Sequence, residues 1–296
     1  MASITTFFGI TGHVPFVDVD VESDTKLFLD PALIAFYSRE DGLAGKADQM
    51  LRDYSALLCT LITSSSAADR QRAYEMLMNL NEPRETRLGM SAEGFNGHGV
   101  DTYFRDKIGE ALMGDLRALI AVGVFHWIGA LPLFVEDFDR DRMSDMTTAI
   151  IRGSLIDFTE EMIRRYPQFQ AHGHLLVPHT MKVWDPMDHQ WKERTVRLPH
   201  AGGHPLLLVP DEWAGSYLQL HGRRYYAIPV LGHIQEELRA ANPAAGKVSK
   251  KDLEKMHPDV YPTNLAVTMQ AYKSGIDLLE EFIRFAHQKL VKPAAA

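Results

Sequence analysis

The spacing of apolar positions divides the chain into extended and helical stretches. Val17, Val19 and Val21 alternate with Asp18 and Asp20, a period of two that predicts a half-buried strand. Glu22-Ser23-Asp24 is turn-forming, and residues 25–29 continue as a second strand, which makes an N-terminal β-hairpin. Asp30-Pro31 then starts a helix, with aspartate at the N-cap and proline at the first helical position. Residues 46–63 place Met50, Tyr54, Leu58, Leu61 and Ile62 on one helical face. Ser66 caps a following helix over 67–80, so the two form an antiparallel helical hairpin. Residues 81–99 carry Gly89, Gly94, Gly97 and Gly99 with no apolar period, which predicts a long loop of the kind that often carries function. A helix follows over 101–122. Another runs over 146–165, with Ser144 as its cap and an apolar stripe through Met146, Ile150, Leu155, Phe158 and Met162.

After His172 the period shortens. Apolar runs at 175–177, 181–184, 191–198 and 206–209 are separated by Asp185-Pro186-Met187-Asp188 and Ala201-Gly202-Gly203. This predicts a small antiparallel meander in which Trp184 and Trp191 face each other across a turn. Helices return at 230–241, at 250–256 behind a Ser249-x-x-Asp252 capping box, and at 265–290 as one long amphipathic helix. The order predicts an α+β fold, mainly helical, with an N-terminal β-hairpin and a small antiparallel β-meander. A single domain over 1–296 is expected. Its sub-regions are 1–170, hairpin plus helices, and 171–296, meander plus C-terminal helices.

Composition adds limits. The chain has 296 residues, 46% hydrophobic and 24% charged, which is ordinary globular composition. The single cysteine, Cys59, excludes an internal disulfide framework and sits in an apolar helical run, where a buried small hydrophobe is the simpler reading than a nucleophile. The first residues lack the charged and apolar regions of a secretory signal. The most apolar stretch, 119–135, is interrupted by Gly123, His126, Gly129 and Pro132 and falls short of the roughly 20 residues of a spanning helix. A cytoplasmic protein with no membrane partner is therefore expected. The net charge of -8 disfavours diffuse nucleic-acid binding but leaves room for a local site. No P-loop pattern occurs, and no GxGxxG follows a strand.

Five groups of residues can carry chemistry. Glu82, Glu85 and Arg87 precede the glycine run, where backbone amides and a guanidinium suit an anion; an ordinary surface Glu–Arg pair is the plainer reading. Glu136, Asp137, Asp139, Asp141 and Asp145 crowd the start of the helix at 146, where carboxylates suit Mg²⁺; helix capping and a solvated acidic turn explain part of the set. His172, His174, His179, His189, His200 and His204 cluster without any fixed metal-ligand spacing and fit hairpin ends. Lys182, Asp185, Lys192 and Glu193 sketch a nuclease core, but Glu193 is followed by Arg194-Thr195 and the E-x-K element is incomplete. Arg223-Arg224-Tyr225-Tyr226, with Lys247, Lys250 and Lys251 downstream, suits stacking on single-stranded nucleic acid.

The stretch LFVEDFDRDRMSDMTTAIIRGSLIDFTEEM contains Asp141-Arg142-x-Ser144-Asp145-x-Thr147-Thr148-x-Ile150-Ile151. Together with Glu85-Thr86-Arg87-Leu88-Gly89, Val183-Trp184-Asp185-Pro186 and Leu207-Leu208-Val209-Pro210, it resembles an uncharacterised bacterial protein family with a D-R/K-x-S-D-x-T-T-x-I-I central motif. The resemblance covers roughly residues 75–260 and implies a setting among mobile-element and phage-defence genes. Phe138-Asp139-Arg140 and Asp211 depart from the expected pattern of a Gly-rich turn and a basic residue. The expectation is a metal-dependent phosphodiester hydrolase, a nuclease. Asp141 and Asp145 would hold Mg²⁺ or Mn²⁺, Glu85 would complete the shell or act as base, and Arg87 or Lys182 would stabilise the transition state. The alternatives are a non-enzymatic component binding a protein partner or a second copy of itself, and a small-ligand sensor built on the Gly-rich loop.

Overall fold

Short polar side chains set the helix starts in the computed structural model, which describes residues 2–80, 83–90, 102–171, 173–244 and 246–291. Ser3 caps α1 (Ile4–Phe8). An extended segment leads to β1 (Phe28–Leu29). Asp30 caps α2 (Pro31–Tyr37), Asp41 caps α3 (Gly42–Thr63) and Ser66 caps α4 (Ala67–Met78). The helices α5 (Thr102–Met113) and α6 (Arg117–Ala121) lead through a 3-10 turn (Ile128–Leu133) to α7 (Arg140–Arg165). Next come β2 (Leu176–Asp185), β3 (Gln190–Ala201), β4 (His204–Pro205) and β5 (Ala214–Gly215). The chain closes with α8 (Gly222–Tyr225), a π-helical turn (Tyr226–Val230), α9 (Leu231–Ala241), α10 (Lys250–Met256), α11 (Val260–Lys273) and α12 (Leu278–Leu290). The fold is α+β and mainly helical, with two small antiparallel sheets ordered β1-β5 and β2-β3-β4. No helix among the described residues is long and apolar enough to cross a membrane.

The meander is dominated by the β2–β3 hairpin around the turn at 186–189. Its register sets Trp184 opposite Trp191, with ring centroids 5.5 Å apart. The structure differs from the periodicity at several points. Residues 17–30 form no β-hairpin with themselves. Val17, Val19 and Val21 are buried and Asp18 is exposed, as the alternation requires, but their backbone partners are residues 2–4 and Val209. β1 pairs with β5 instead. Leu206, Leu207, Leu208 and Val209 are buried but form no strand; the amides of Leu206, Leu207 and Leu208 donate to Pro199 O, Glu85 O and Thr159 Oγ1. The helix expected over 101–122 breaks at Gly114, where a Cβ would stand 2.7 Å from Glu110 O. The helix expected over 265–290 is two helices, parted at Gly275 with φ 81. The Gly-rich residues 91–100, with Gly94, Gly97 and Gly99, lie outside the described residues, as do Glu82 and His172.

One connected apolar core takes side chains from Ile4 to Ala286. At its centre is α7, buried on nearly every side from Met143 to Thr159. Ser144, Thr147, Thr148 and Thr159 lie among its inward residues, and two of their hydroxyls serve distant backbone: Ser144 Oγ accepts from Leu29 N (3.0 Å) and Thr159 Oγ1 from Leu208 N (2.9 Å).

Asp30 is only 1% exposed, and its two carboxylate oxygens accept from Ala32 N (2.8 Å) and Gln219 N (2.7 Å). Burial pushes its pKa from 3.8 up to about 6, against the pull of those two amides. The folded state therefore holds the proton more tightly than the unfolded state. The stability from this site is full below the unfolded pKa and is lost as pH rises through about 6, by on the order of 3 kcal/mol. Denaturant titrations of the native chain and Asp30→Asn at about pH 4 and about pH 7 check this. The stability gap between the two should change by that amount, and an unchanged gap would mean that Asp30 does not titrate in this window.

Candidate functional site

The acidic motif and the loop residues are brought together by the early start of α7. The cap is Asp139, whose Oδ1 accepts from Arg142 N at 3.0 Å, not Ser144, which lies inside the helix and holds β1. Asp141 is thus in the first turn, with Asp145 half-buried one turn further on the same side. Arg140 lies over the rings of Phe28 (4.6 Å) and Tyr217 (5.7 Å) and donates to Ser216 O (2.7 Å), which fixes the helix start against β1 and the segment after β5.

The segment 83–90 is tied down on two sides. Thr25 N donates to Arg87 O (2.8 Å) and Gly89 N to Thr25 O (3.1 Å), while Leu207 N donates to Glu85 O (2.8 Å). Arg87 takes a left-handed backbone (φ 57), unusual for a residue with a Cβ, and its side chain is buried. Burial lowers the pKa of its guanidinium, and Asp24, Asp20 and Glu85 act in the opposite sense. From α7 comes a second buried guanidinium, Arg152, whose Nη1 donates to Lys182 O (2.9 Å). Burial lowers its pKa as well, and Glu85 is the acid that opposes this. Glu85 therefore lies in the field of two buried arginines. Its Oε2 is buried, with no hydrogen-bond partner among the described residues.

Two carboxylates meet at Gly89. A Cβ there would stand 3.1 Å from Asp141 Oδ1 and 3.5 Å from Asp24 Oδ2, and the φ of 147 also favours glycine. Burial raises the pKa of Asp141, and the charges of Asp139 and Asp24 add to it, against Arg142 and Arg140. A pair of carboxylates in this setting is relieved by a proton or by a cation.

Of the residues singled out from sequence, Glu85 and Arg87 share one charged cluster, and Asp141 adjoins it across Gly89 and Asp24. The ammonium of Lys182 is exposed and donates to Asn79 Oδ1 (3.0 Å), so only the Lys182 carbonyl faces the cluster. Among the described residues no group of three or more His, Cys, Asp and Glu side chains is spaced to hold a metal ion. Tyr225 and Tyr226 are not a stacking platform. Both are buried, with hydroxyls bonded to Thr268 Oγ1 (2.7 Å) and His257 O (2.6 Å). His179 and His200 stack with centroids 4.8 Å apart, and burial with the neighbouring His179 and His204 lowers the pKa of His200. Burial pushes the Cys59 thiol up to about 12, which unfits it as a nucleophile. Asp24 and Arg152 were not singled out from sequence. Arg152 had a signal, a lone charge inside the apolar run AIIRGSLI.

No curated protein and no solved structure shows a significant match to the chain. The profile of one family matches residues 10–217, a span that contains the whole cluster from Asp20 to Leu207. The chain belongs to that family, a domain of unknown function (DUF8370).

Proposed function

We propose that the chain is a metal-dependent phosphodiester hydrolase, a nuclease in class, working in a bacterial defence-type setting. The observation that carries this reading is the convergence of Asp24 and Asp141 on Gly89. Mg²⁺ is commonly bound by one or two carboxylates, with water and substrate phosphate completing its octahedron, so two acids suffice. Asp145, one turn beyond Asp141, is the nearest further acid on α7. Arg87, beside Asp24 and Glu85, would supply the positive charge that a phosphate group needs, with Arg152 close enough for its charge to act on Glu85 from behind. Lys182 has no part in this reading, because its ammonium is engaged by Asn79. The interaction reading would gain from an uncovered apolar face on α12, but Leu278, Leu279, Phe282 and Ala286 of that helix are buried.

Thermal melts with Mn²⁺ or Mg²⁺ and a nuclease assay on single- and double-stranded substrates test the proposal. The metal should raise the melting temperature of the native chain and leave Asp141→Asn unmoved. Hydrolysis should fall roughly 100-fold or more in Asp141→Asn. If Asp141→Asn keeps both the metal response and the activity, the metal site is elsewhere and the reading fails.

A further inference from the structure

A cavity of about 540 Å³ opens between α5–α6, the segment after the 3-10 turn, and α11. It shares no residue with the carboxylate pair at Gly89. Leu116, Phe134 and Leu265 give it an apolar floor, and Glu110, Asp115, Glu136 and Tyr261 also line it. Among the described residues the one basic side chain of the lining is Lys107, and it is already engaged, its Nζ 3.0 Å from Asp137 Oδ2. Glu110, Asp115 and Glu136 are exposed and make no ion pair among the described residues. The lining is therefore acidic around an apolar base. Burial raises the pKa of the Tyr261 phenol, and the charges of Glu136 and Asp137 add to it, against Arg223 and Lys107.

The walls are fixed before any ligand arrives. Asp137, next to Glu136, takes a left-handed backbone (φ 62), held by Lys107 at its carboxylate and Arg142 at its carbonyl. Such a conformation is unfavourable for a residue with a Cβ and persists only where the surroundings impose it. The buried Asn264 of α11 donates to Leu133 O (2.7 Å) and Gly222 O (3.1 Å), which ties the far wall to the 3-10 turn. Tyr261 lies against Gly222, where an added Cβ would come within 2.6 Å of its ring. One wall lies within residues 10–217 and the other beyond them.

We propose that this cavity binds a small organic cation with an aliphatic body, a polyamine. The carbon chain would lie on Leu116, Phe134 and Leu265, the ammonium groups would meet Glu110, Asp115 and Glu136, and the Tyr261 ring would offer its face to one of them. The volume lies within the range of small-molecule sites. The proposal is independent of any hydrolase activity.

Isothermal titration of the full chain with spermidine tests it, with 1,8-octanediol as an uncharged comparator. Because the whole chain is acidic, a charge-matched control is required. Glu161→Gln combined with Glu236→Gln removes two exposed acids, one from α7 and one from α9, that do not line the cavity. Spermidine should bind with a stoichiometry of one, the combined Asp115→Asn and Glu136→Gln variant should weaken it about tenfold or more, and the combined Glu161→Gln and Glu236→Gln variant should leave it unchanged. Binding that is equal in both variants, several weak equivalents per chain, or equal affinity for the diol would each overturn the proposal.

Discussion

Arg152→Met will lower the stability of the chain by about 3 kcal/mol, the loss expected when one partner of a buried charge network is removed. The side chain is 5% exposed, donates to Lys182 O at 2.9 Å and sits in the field of Glu85. Methionine fills similar space but leaves the Glu85 carboxylate with one arginine fewer and the Lys182 carbonyl without its donor. The melting temperature should fall by roughly 5 °C. A double variant separates charge from shape. Adding Glu85→Gln removes the carboxylate that the methionine strands, so Glu85→Gln with Arg152→Met should recover about 1 kcal/mol or more relative to the sum of the single effects. Strict additivity of the two would show that Glu85 and Arg152 are not coupled, and would remove Arg152 from the site.

Trp184→Ala should cost about 3–5 kcal/mol, the range for deleting a large buried aromatic side chain. Trp184 is 2% exposed and bridges the hairpin to α3, with its ring 5.1 Å from Tyr54 and 5.5 Å from Trp191. The cluster is unusual in its polar atoms. Trp184 Nε1, Trp191 Nε1 and Tyr54 Oη are all buried with no hydrogen-bond partner among the described residues. Each such group carries a desolvation cost of about 1–3 kcal/mol. Trp184→Phe gives up some volume but also sheds one of these donors, so it should cost only about 1 kcal/mol. Chemical denaturation of both variants decides the matter: equal losses for Phe and Ala would mean that the indole N–H contributes to stability.

The features legible in the sequence were those with local causes. The caps Asp30, Ser66 and Ser249 lie a few residues from the amides they serve, and the turn at 186–189 sets Trp184 against Trp191 by register alone. The features missed depend on distant partners. Ser144 looked like a cap because its type suits one, yet its hydroxyl is taken by Leu29, 115 residues away in sequence. The alternation at Val17, Val19 and Val21 reported one buried face correctly but not the identity of the covering segments. The candidate site divides in the same way. Glu85, Arg87 and Asp141 stood out as charges beside a glycine run or a helix start. Asp24 passed as a turn residue and Arg152 as a helix residue, since only the tertiary fold brings them to Gly89 and Glu85.

The burial of α7 bears on how this family can vary. A surface helix has one face free to change; α7 offers almost none between Met143 and Thr159, where Asp145, Gly153 and Asp157 alone reach solvent. Its polar inward residues are constrained as tightly as its apolar ones, because Ser144, Arg152 and Thr159 each hydrogen-bond the backbone of a remote segment, namely β1, β2 and the irregular stretch at Leu208. A change at any of these three must be matched by a change in a remote strand or loop, so they are expected to drift together with those partners or not at all. Diversification of the fold is therefore steered to the two ends of the helix. One of them is the acidic first turn beside Gly89.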